Sequence, residues 1–206
     1  MISGTAMNKN VERGKTTRAQ LIEIASRLFA SRGYDRTSID AVLAESGASR
    51  GSLYHHFKNK EALFLAVVKD ASARASRPAA EEMRAAPDSL AALRVGCLAW
   101  IRLAGDPAVR QIVLIDAPAV LGWQRWRALD EQGPLGTIRG LLADAAHDGG
   151  IEPHHVDAFA RIVLAALNEL SMMVAHAEDR TKALATAESA VEEFLDRLLA
   201  PVVHAG

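Results

Sequence analysis

Cysteine and aromatic residues are scarce in this sequence. Among 206 residues there is one cysteine, Cys97, and aromatic side chains make up 5%. A single cysteine excludes an internal disulfide and is typical of a protein kept in a reducing cytoplasm. Alanine, leucine and arginine dominate instead, and that composition favours helices over strands. Collagen, disulfide-linked miniproteins and long disordered tracts are excluded on the same grounds.

Long hydrophobic runs are also absent. The longest unbroken apolar run, at positions 62–68, has seven residues, whereas a helix that crosses a bilayer needs roughly 18–20. No basic segment followed by an apolar stretch opens the chain, as a secretion signal requires. We therefore expect a cytoplasmic protein without a membrane partner. Its length allows one large core or two small ones.

The net charge of −1 conceals an uneven distribution. Residues 1–77 contain 13 Lys and Arg against 7 Asp and Glu, whereas residues 78–206 contain 11 against 18. A basic N-terminal part indicates a polyanionic partner, and the acidic remainder would keep the rest of the molecule away from that partner. The charge distribution alone does not establish a polyanionic partner, because a helical surface must carry charge and a split of this size also arises by chance.

Apolar spacing predicts an all-α fold. Residues 1–14 are small and polar without periodicity, which predicts a disordered arm, and an apolar stripe over 21–29 predicts a helix that ends at Gly33. Residues 75–87, with two prolines and little apolar mass, predict a linker. The other predicted helices span 37–46, 50–57, a stretch that begins at 60, 88–104, 106–115, 118–132, 134–147, 153–177 and 180–200.

Two short helices joined by a tight turn follow the first helix. Gly47 supplies the left-handed residue of the turn, and Ser49 is placed to cap the second short helix. Because helices of this length form no core alone, they must pack on the longer helix before them. Thr37 and Ser38 add donors at a helix start, where phosphate binds. Lys60 opposes the dipole of its own helix, which a second phosphate contact would explain.

The second short helix has one face that suits a DNA groove. When Leu53 points inward, Gly51 and His55 lie on the opposite face, with Tyr54 beside them and Arg50 in the first turn. Arg donates a bidentate pair to guanine, while Tyr and His reach phosphates or a thymine methyl. The glycine permits close approach. This pattern predicts a recognition helix in the major groove.

A series of ordered matches identifies a family. The chain resembles the N-terminal domain of TetR-family transcriptional regulators over about a quarter of its length. It departs from the usual pattern at Leu43, where alanine is common, and at Ala48, where valine is common. The matching residues are Thr17, Arg18, Leu21, Ala25, Leu28, Phe29, Gly33, Tyr34, Thr37, Ser38, Ile39, Gly47, Ser49, Gly51, Ser52, Leu53, Tyr54, His56, Phe57, Lys60, Glu61 and Leu63.

The resemblance implies a helix-turn-helix domain at 15–60 and a ligand-binding and dimerisation domain at 61–203. A homodimer would place two recognition helices in half-sites of a palindromic operator roughly 34 Å apart. Two alternatives stay open: Tyr54 as a packing residue and Arg50 as a solvated charge. The implied DNA contacts are Thr37, Ser38, Ser49, Arg50, Gly51, Ser52, Tyr54, His55 and Lys60.

The last two predicted helices are candidates for the dimer interface. Residues 153–177 are apolar nearly all round and must be covered on two faces, and with 180–200 they resemble the family's dimerisation helices. The alternative is that both are intramolecular core. The middle helices are expected to enclose an effector cavity, although each candidate also suits an ordinary core. Those candidates are Trp100, Leu103, Ile112, Trp123, Trp126, Leu167, Asn168, Met172 and His176.

A helical-bundle enzyme is the first competing hypothesis. Asp144 and His147, like Glu152 and His155, have the i, i+3 spacing of carboxylate–histidine metal ligands. However, two glycines separate the pairs, bridging glutamates are missing, and no nucleophile elbow, phosphate loop or zinc-cysteine pattern is present. We therefore expect no metal, no cofactor and no enzymatic activity. A helical module that contacts protein instead of DNA is the second alternative to a ligand-responsive repressor.

Overall fold

A computed structural model of the chain describes residues 3–131, 133–147 and 151–198. Every secondary-structure element within these ranges is a helix. The predicted all-α fold is confirmed. The first helix, α1, spans Ser3–Arg32. It ends where predicted, because Gly33 adopts a φ of 77° and donates its N–H to Phe29 O at 2.8 Å. The structure differs from the predicted disordered arm at residues 3–14, which continue α1 although they include two glycines and two asparagines of low helix propensity.

Two short helices, α2 (Ile39–Ser46) and α3 (Arg50–His56), pack on α1. Gly47 joins them with a φ of 64° and donates its N–H to Leu43 O at 3.0 Å. Leu43 and Ala48, the two departures from the family pattern, are both partly buried against the core. The tight helix-turn-helix predicted from the sequence is therefore present.

Helix α4 spans Lys60–Ala85 and contradicts the predicted linker at 75–87. Pro78 lies inside this helix, exposed, where a proline leaves one helical carbonyl without its backbone donor. The helix continues because its second half packs on the next helix, α5 (Ser89–Leu103). A Cβ at position 96 would lie 2.9 Å from Met83 Sδ, so Gly96 allows α4 and α5 to approach closely.

The helices in the middle of the chain are shorter and more interrupted than predicted. Residues 106–115 form a short α6 (Pro107–Val109) that continues into a π-helical segment, Arg110–Asp116. The predicted helix at 118–132 is divided at Gly122, whose φ is 80°, and residue 132 lies outside the described part. The pieces are α7 (Ala117–Leu121) and α8 (Trp123–Glu131).

Three long helices complete the C-terminal part. They are α9 (Pro134–His147), α10 (Val156–His176) and α11 (Arg180–Leu198), and α10 packs between α9 and α11. Positions 199 and 200 of the last predicted helix lie outside the described residues. A 3₁₀ turn at Pro153–His155 leads into α10.

The stretch Pro153–His176 is long and apolar enough to cross a bilayer by length and composition. This differs from the expectation drawn from uninterrupted runs, because single polar residues break each run without lowering the average enough. Eight residues of α10 are nevertheless buried inside the protein. A core helix passes the same test, so the finding carries little weight for a membrane location.

One continuous hydrophobic core joins both halves of the chain. Phe29 and Phe64 meet edge-to-face with ring centres 5.1 Å apart beneath the short helices. The same cluster of buried side chains continues to Ile101, Trp126 and Leu142 in the C-terminal part. A displacement of α4 is therefore transmitted to the helix-turn-helix through packed side chains and not through a flexible connection.

Candidate nucleic-acid interface and interior cavity

Helix α3 presents the face predicted from its periodicity. Leu53 is fully buried, whereas Arg50, Gly51 and His55 are exposed and Tyr54 has 44% of its surface accessible. Ser52 is half-buried. The exposure of Tyr54 argues against a packing role for its ring, so the outward strip carries a guanidinium, a phenol and an imidazole around a glycine.

Both short helices are capped by serine. Ser38 Oγ accepts the N–H of Ala41 at 3.1 Å, and Ser49 Oγ accepts the N–H of Ser52 at 3.1 Å. Each hydroxyl is exposed and retains its own O–H as a donor. The two helix starts therefore offer hydroxyl and free backbone donors of the kind that bind phosphate.

Arg50 has a partner that the sequence analysis missed. Its guanidinium donates to the carboxylate of Asp40 on α2, and both side chains are exposed. Ten residues separate the two in sequence, so no helical spacing links them, and only the turn between α2 and α3 brings them together. The pair holds the arginine beside α2 when no other acceptor is present.

Thr37 was predicted to contact phosphate, but its side chain is buried. Only 1% of its surface is accessible. Its hydroxyl donates to Gly33 O at 2.9 Å, with Leu28 O at 3.3 Å, so it satisfies carbonyls at the end of α1. The threonine that precedes the N-cap thus closes one helix instead of offering a donor to a ligand.

The two histidines of α3 differ in exposure. His55 is exposed and His56 is half-buried, with ring centres 5.2 Å apart. Burial lowers the pKa of His56, and the neighbouring charges of His55 and Arg18 act in the same direction. Of the two rings, His55 is therefore the one placed to meet a phosphate.

Lys60 does not stand free beside α3. Its Nζ lies 4.0 Å from the centre of the Tyr34 ring, and the side chain is half-buried. Burial lowers the pKa of Lys60, while the charges of Asp35 and Asp116 oppose that effect. The lysine therefore belongs to a junction between the short helices and the C-terminal part, and the structure gives no support to a phosphate contact.

Asp116 forms the polar centre of that junction. Its Oδ2 accepts the backbone N–H of Tyr34 at 2.8 Å, and its Oδ1 accepts from Gln111 Nε2 at 2.9 Å. Burial raises the pKa of Asp116, and these two hydrogen bonds partly offset the rise. The aspartate ends the π-helical segment, a rare form that often marks functional sites. A second link joins Arg125 of α8 to Glu61 of α4 at 2.6 Å.

A cavity of about 550 Å³ lies among α4, α5 and α9, with one wall from α10. Of the predicted effector contacts, Trp100, Leu103 and Leu167 line it. The residues missed by the sequence analysis come mainly from α4 and α9, the first of which lay in the supposed linker. The lining includes Ser76, Ala79, Met83, Arg84, Leu93, Cys97, Thr137, Ile138, Leu141 and Leu167.

Six predicted effector contacts do not line this cavity. Trp126 is buried in the core, where its indole N–H donates to Val113 O at 2.9 Å, and Trp123 is 52% exposed. His176 is also exposed, and its Nδ1 lies 2.8 Å from the carbonyl oxygen of Met172. The prediction marked Ile112 and Trp126 correctly as buried, but it did not separate core from cavity, and Trp123 and His176 lie at the surface. The remaining two, Ile112 and Asn168, are buried.

Comparison with known proteins decides the family. Residues 21–67 match the family described as "Bacterial regulatory proteins, tetR family", and residues 90–198 match "Tetracyclin repressor-like, C-terminal domain". The second match alone covers more than half of the chain. The chain belongs to the TetR family. As a TetR-family protein it is a DNA-binding transcriptional regulator, so the hypothesis of a helical-bundle enzyme is wrong.

Individual relatives agree with this assignment. The crystal structure of a TetR-family transcriptional regulator from Pectobacterium atrosepticum is 30% identical, with a TM-score of 0.80, over 92% of this chain and 97% of that one. An HTH-type transcriptional repressor of Mycobacterium tuberculosis is 34% identical over 44% of this chain and 52% of its own length. The repressor AcnR of Corynebacterium efficiens is 37% identical over 32% of this chain. This chain covers 35% of that second repressor.

In the TetR-family C-terminal part, α10 exposes two large apolar side chains on one side of the helix, the side that also carries the exposed Glu169. Ile162 is 48% exposed and Met173 41%, and eleven residues of spacing bring them to the same side of the helix. A groove of about 320 Å³ lies beside them between α10 and α11, with Phe194 and Leu170 in its walls. One face of α10 therefore packs inside the subunit and the other faces outward.

The residues proposed as metal ligands are not assembled into a site. In the described ranges, no three His, Cys, Asp or Glu side chains are grouped to hold a metal ion. The i, i+3 pairs lie on α9 and around the 3₁₀ turn, on either side of residues 148–150. Membership of the TetR family already accounts for the function without a metal.

Proposed function

We propose that the protein is a homodimeric repressor that binds a palindromic operator through α3 and is released by a small molecule in its cavity. It would act in the cytoplasm, where bacterial DNA is. The observation that carries the proposal is the exposed strip of Arg50, Tyr54 and His55 beside two capped helix starts. Those donors match the combination of base and phosphate contacts that an operator requires.

DNA binding would begin with an exchange of partners at Arg50. The exposed ion pair with Asp40 contributes little on its own, because solvent screens both charges. Arg50 can therefore leave the carboxylate for guanine O6 and N7 without a large cost. Ser38, Ser49, Tyr54 and His55 would contact the backbone, and Gly51 and Ser52 would lie closest to the bases.

Dimerisation would use the outward face of α10 together with α11. A second copy that covers Ile162 and Met173 would satisfy an exposed apolar surface that a monomer leaves in water. The two-fold axis would repeat α3 at half-sites about one helical turn apart. Helices 153–177 and 180–200 were proposed for this role on sequence grounds.

Release would follow from the position of the cavity. Its walls come from α4 and α5, and α4 begins four residues after α3 ends. A ligand that favours another arrangement of these helices shifts α3 through the core and through the hydrogen bond of Asp116 to Tyr34. A coupling free energy of about 1–3 kcal/mol would weaken operator affinity roughly 5–150-fold.

The decisive experiment selects bound duplexes from random DNA and then compares variants on the selected operator. We expect Arg50→Ala to lose about 1–3 kcal/mol of discrimination at one base pair of each half-site. Arg77→Ala, an exposed arginine on α4, serves as the control and should leave discrimination unchanged. Absence of any duplex binding at low salt would favour the protein-binding module, and equal losses in both variants would remove Arg50 from base contact.

A further inference from the structure

The walls of the cavity carry charge of one sign only. Its lining is apolar apart from two hydroxyl residues, Ser76 and Thr137, and the exposed Arg84. No carboxylate of Asp or Glu contributes to the lining. In the described part of the chain, Arg84 forms no ion pair, although Glu81 and Glu82 lie on the same helix. An unpaired cation therefore stands at the exposed edge of an apolar chamber.

From this arrangement we propose that the effector is an apolar molecule with a single anionic group, and that Arg84 binds that group while α5 and α9 cover the apolar body. This inference rests on the proposed function of the cavity as the effector site and adds the chemical class of the ligand. An uncharged ligand would gain nothing from Arg84, because the exposed guanidinium is hydrated in the free protein. A cationic ligand would meet repulsion from Arg84 and find no carboxylate in the walls.

The geometry also explains why the anionic group would lie at α4. Arg84 is in the last turn of α4, and Met83 next to it packs on Gly96 of α5. A ligand that bridges Arg84 and the walls from α5 and α9 would thus connect the C-terminal end of α4 to these two helices. The free energy of binding at Arg84 would then favour a shift of α4, and α4 follows α3 directly in the chain.

Two dyes that differ in one charged group test the inference. 1-Anilinonaphthalene-8-sulfonate carries an apolar body with a sulfonate, and N-phenyl-1-naphthylamine is the same body without it. Fluorescence titration of the full-length protein gives a dissociation constant for each. We expect Arg84→Gln to weaken the sulfonate dye about tenfold, because a charge-assisted hydrogen bond is lost, and to change the neutral dye less than twofold.

Matched variants make the result decisive. Arg77→Gln removes the same charge from α4 outside the cavity and should alter neither dye, while Ala79→Phe fills the cavity and should weaken both. Thermal unfolding of each variant checks that it is folded. The inference is overturned when Arg84→Gln affects both dyes equally or neither, or when Arg77→Gln has the same effect on the sulfonate dye.

The two levels of the proposal fail separately. Binding of the sulfonate dye that depends on Arg84 supports the proposed ligand class, whether or not the dye releases the protein from the operator. An operator complex that stays intact when the dye is bound would count against release by a ligand in the cavity. Release of the operator by a neutral or cationic molecule that competes with both dyes would contradict the ligand class and support the effector function.

Discussion

At the scale of single residues, the proposed DNA contact surface includes a carboxylate, Asp40, that would work against binding. Asp40 holds Arg50 on the outward side of the helix-turn-helix. A phosphate backbone would repel this carboxylate and compete with it for the same guanidinium. On the proposed mode of binding, the pair would therefore set the affinity for DNA of any sequence, whereas Arg50 itself would determine base preference.

We predict that Asp40→Asn strengthens binding to all duplexes at low salt and makes the salt dependence steeper. The change in unfolding free energy should stay below about 1 kcal/mol, since the pair is exposed. Glu45→Gln is the matched control, because Glu45 lies on the same helix but pairs with Arg27 at 3.4 Å. Binding measured from 50 to 200 mM salt checks this. Equal gains in the two variants would show a general charge effect and no competition for Arg50.

A second residue-scale prediction concerns the buried end of the junction. Asp116→Ala removes the acceptor of the Tyr34 N–H and should lower the unfolding free energy by about 1–3 kcal/mol. Asp116→Asn keeps an acceptor at Oδ1, and the Gln111 amide can turn to accept from its Nδ2. Because burial raises the pKa of Asp116, the native carboxylate lowers stability at neutral pH, and this penalty fades as pH falls towards its ordinary pKa.

The asparagine variant should therefore be more stable than the native protein at pH 7. Its advantage should disappear as pH falls to the ordinary aspartate pKa, where the native side chain becomes protonated in both states. Denaturant unfolding at several pH values measures both effects. An advantage that is independent of pH would mean that charge burial is not its cause.

At the scale of helices, α4 is the element for which the prediction from composition was least accurate. Two prolines in 75–87 look like a linker, yet the structure has helix there because Met83 and Ala79 face α5 and the cavity. Local propensity at one proline was outweighed by packing on both sides of it. This helix joins the recognition helix to the cavity, so its continuity bears directly on the proposed release.

We predict that Pro78→Ala stabilises α4. An alanine at this exposed position restores an N–H that can donate to the carbonyl of Arg74, and we expect a gain of about 1–3 kcal/mol in unfolding free energy. Arg77→Ala, at the adjacent exposed position, should change stability by less than about 0.5 kcal/mol. Urea unfolding compares the two. A loss of stability in Pro78→Ala would indicate that the proline's bend is required for packing on α5.

At the scale of the whole molecule, the sequence predicted the surface of α3 far better than the cavity. The face of α3 depends on a period of 3.6 residues within seven positions, and Leu53 alone orients it. The cavity depends on how α4, α5 and α9 meet, and residues such as Arg84 and Thr137 are 53 positions apart. Of the predicted effector contacts only Trp100, Leu103 and Leu167 line it, because apolar spacing indicates burial without showing which element packs opposite.

The proposed assembly of two subunits would depend on the exposed side of α10. We predict that Ile162→Asp converts the dimer to a monomer, because a charge replaces an apolar side chain at the centre of the proposed interface. Ala143→Glu adds a charge at an exposed position of α9 and should leave the dimer intact. Analytical ultracentrifugation gives the masses. The monomeric variant should also lose operator affinity while its N-terminal domain remains folded, since one recognition helix alone contacts half of the site. A dimer that survives Ile162→Asp, and likewise Met173→Asp, would place the two-fold axis on another surface.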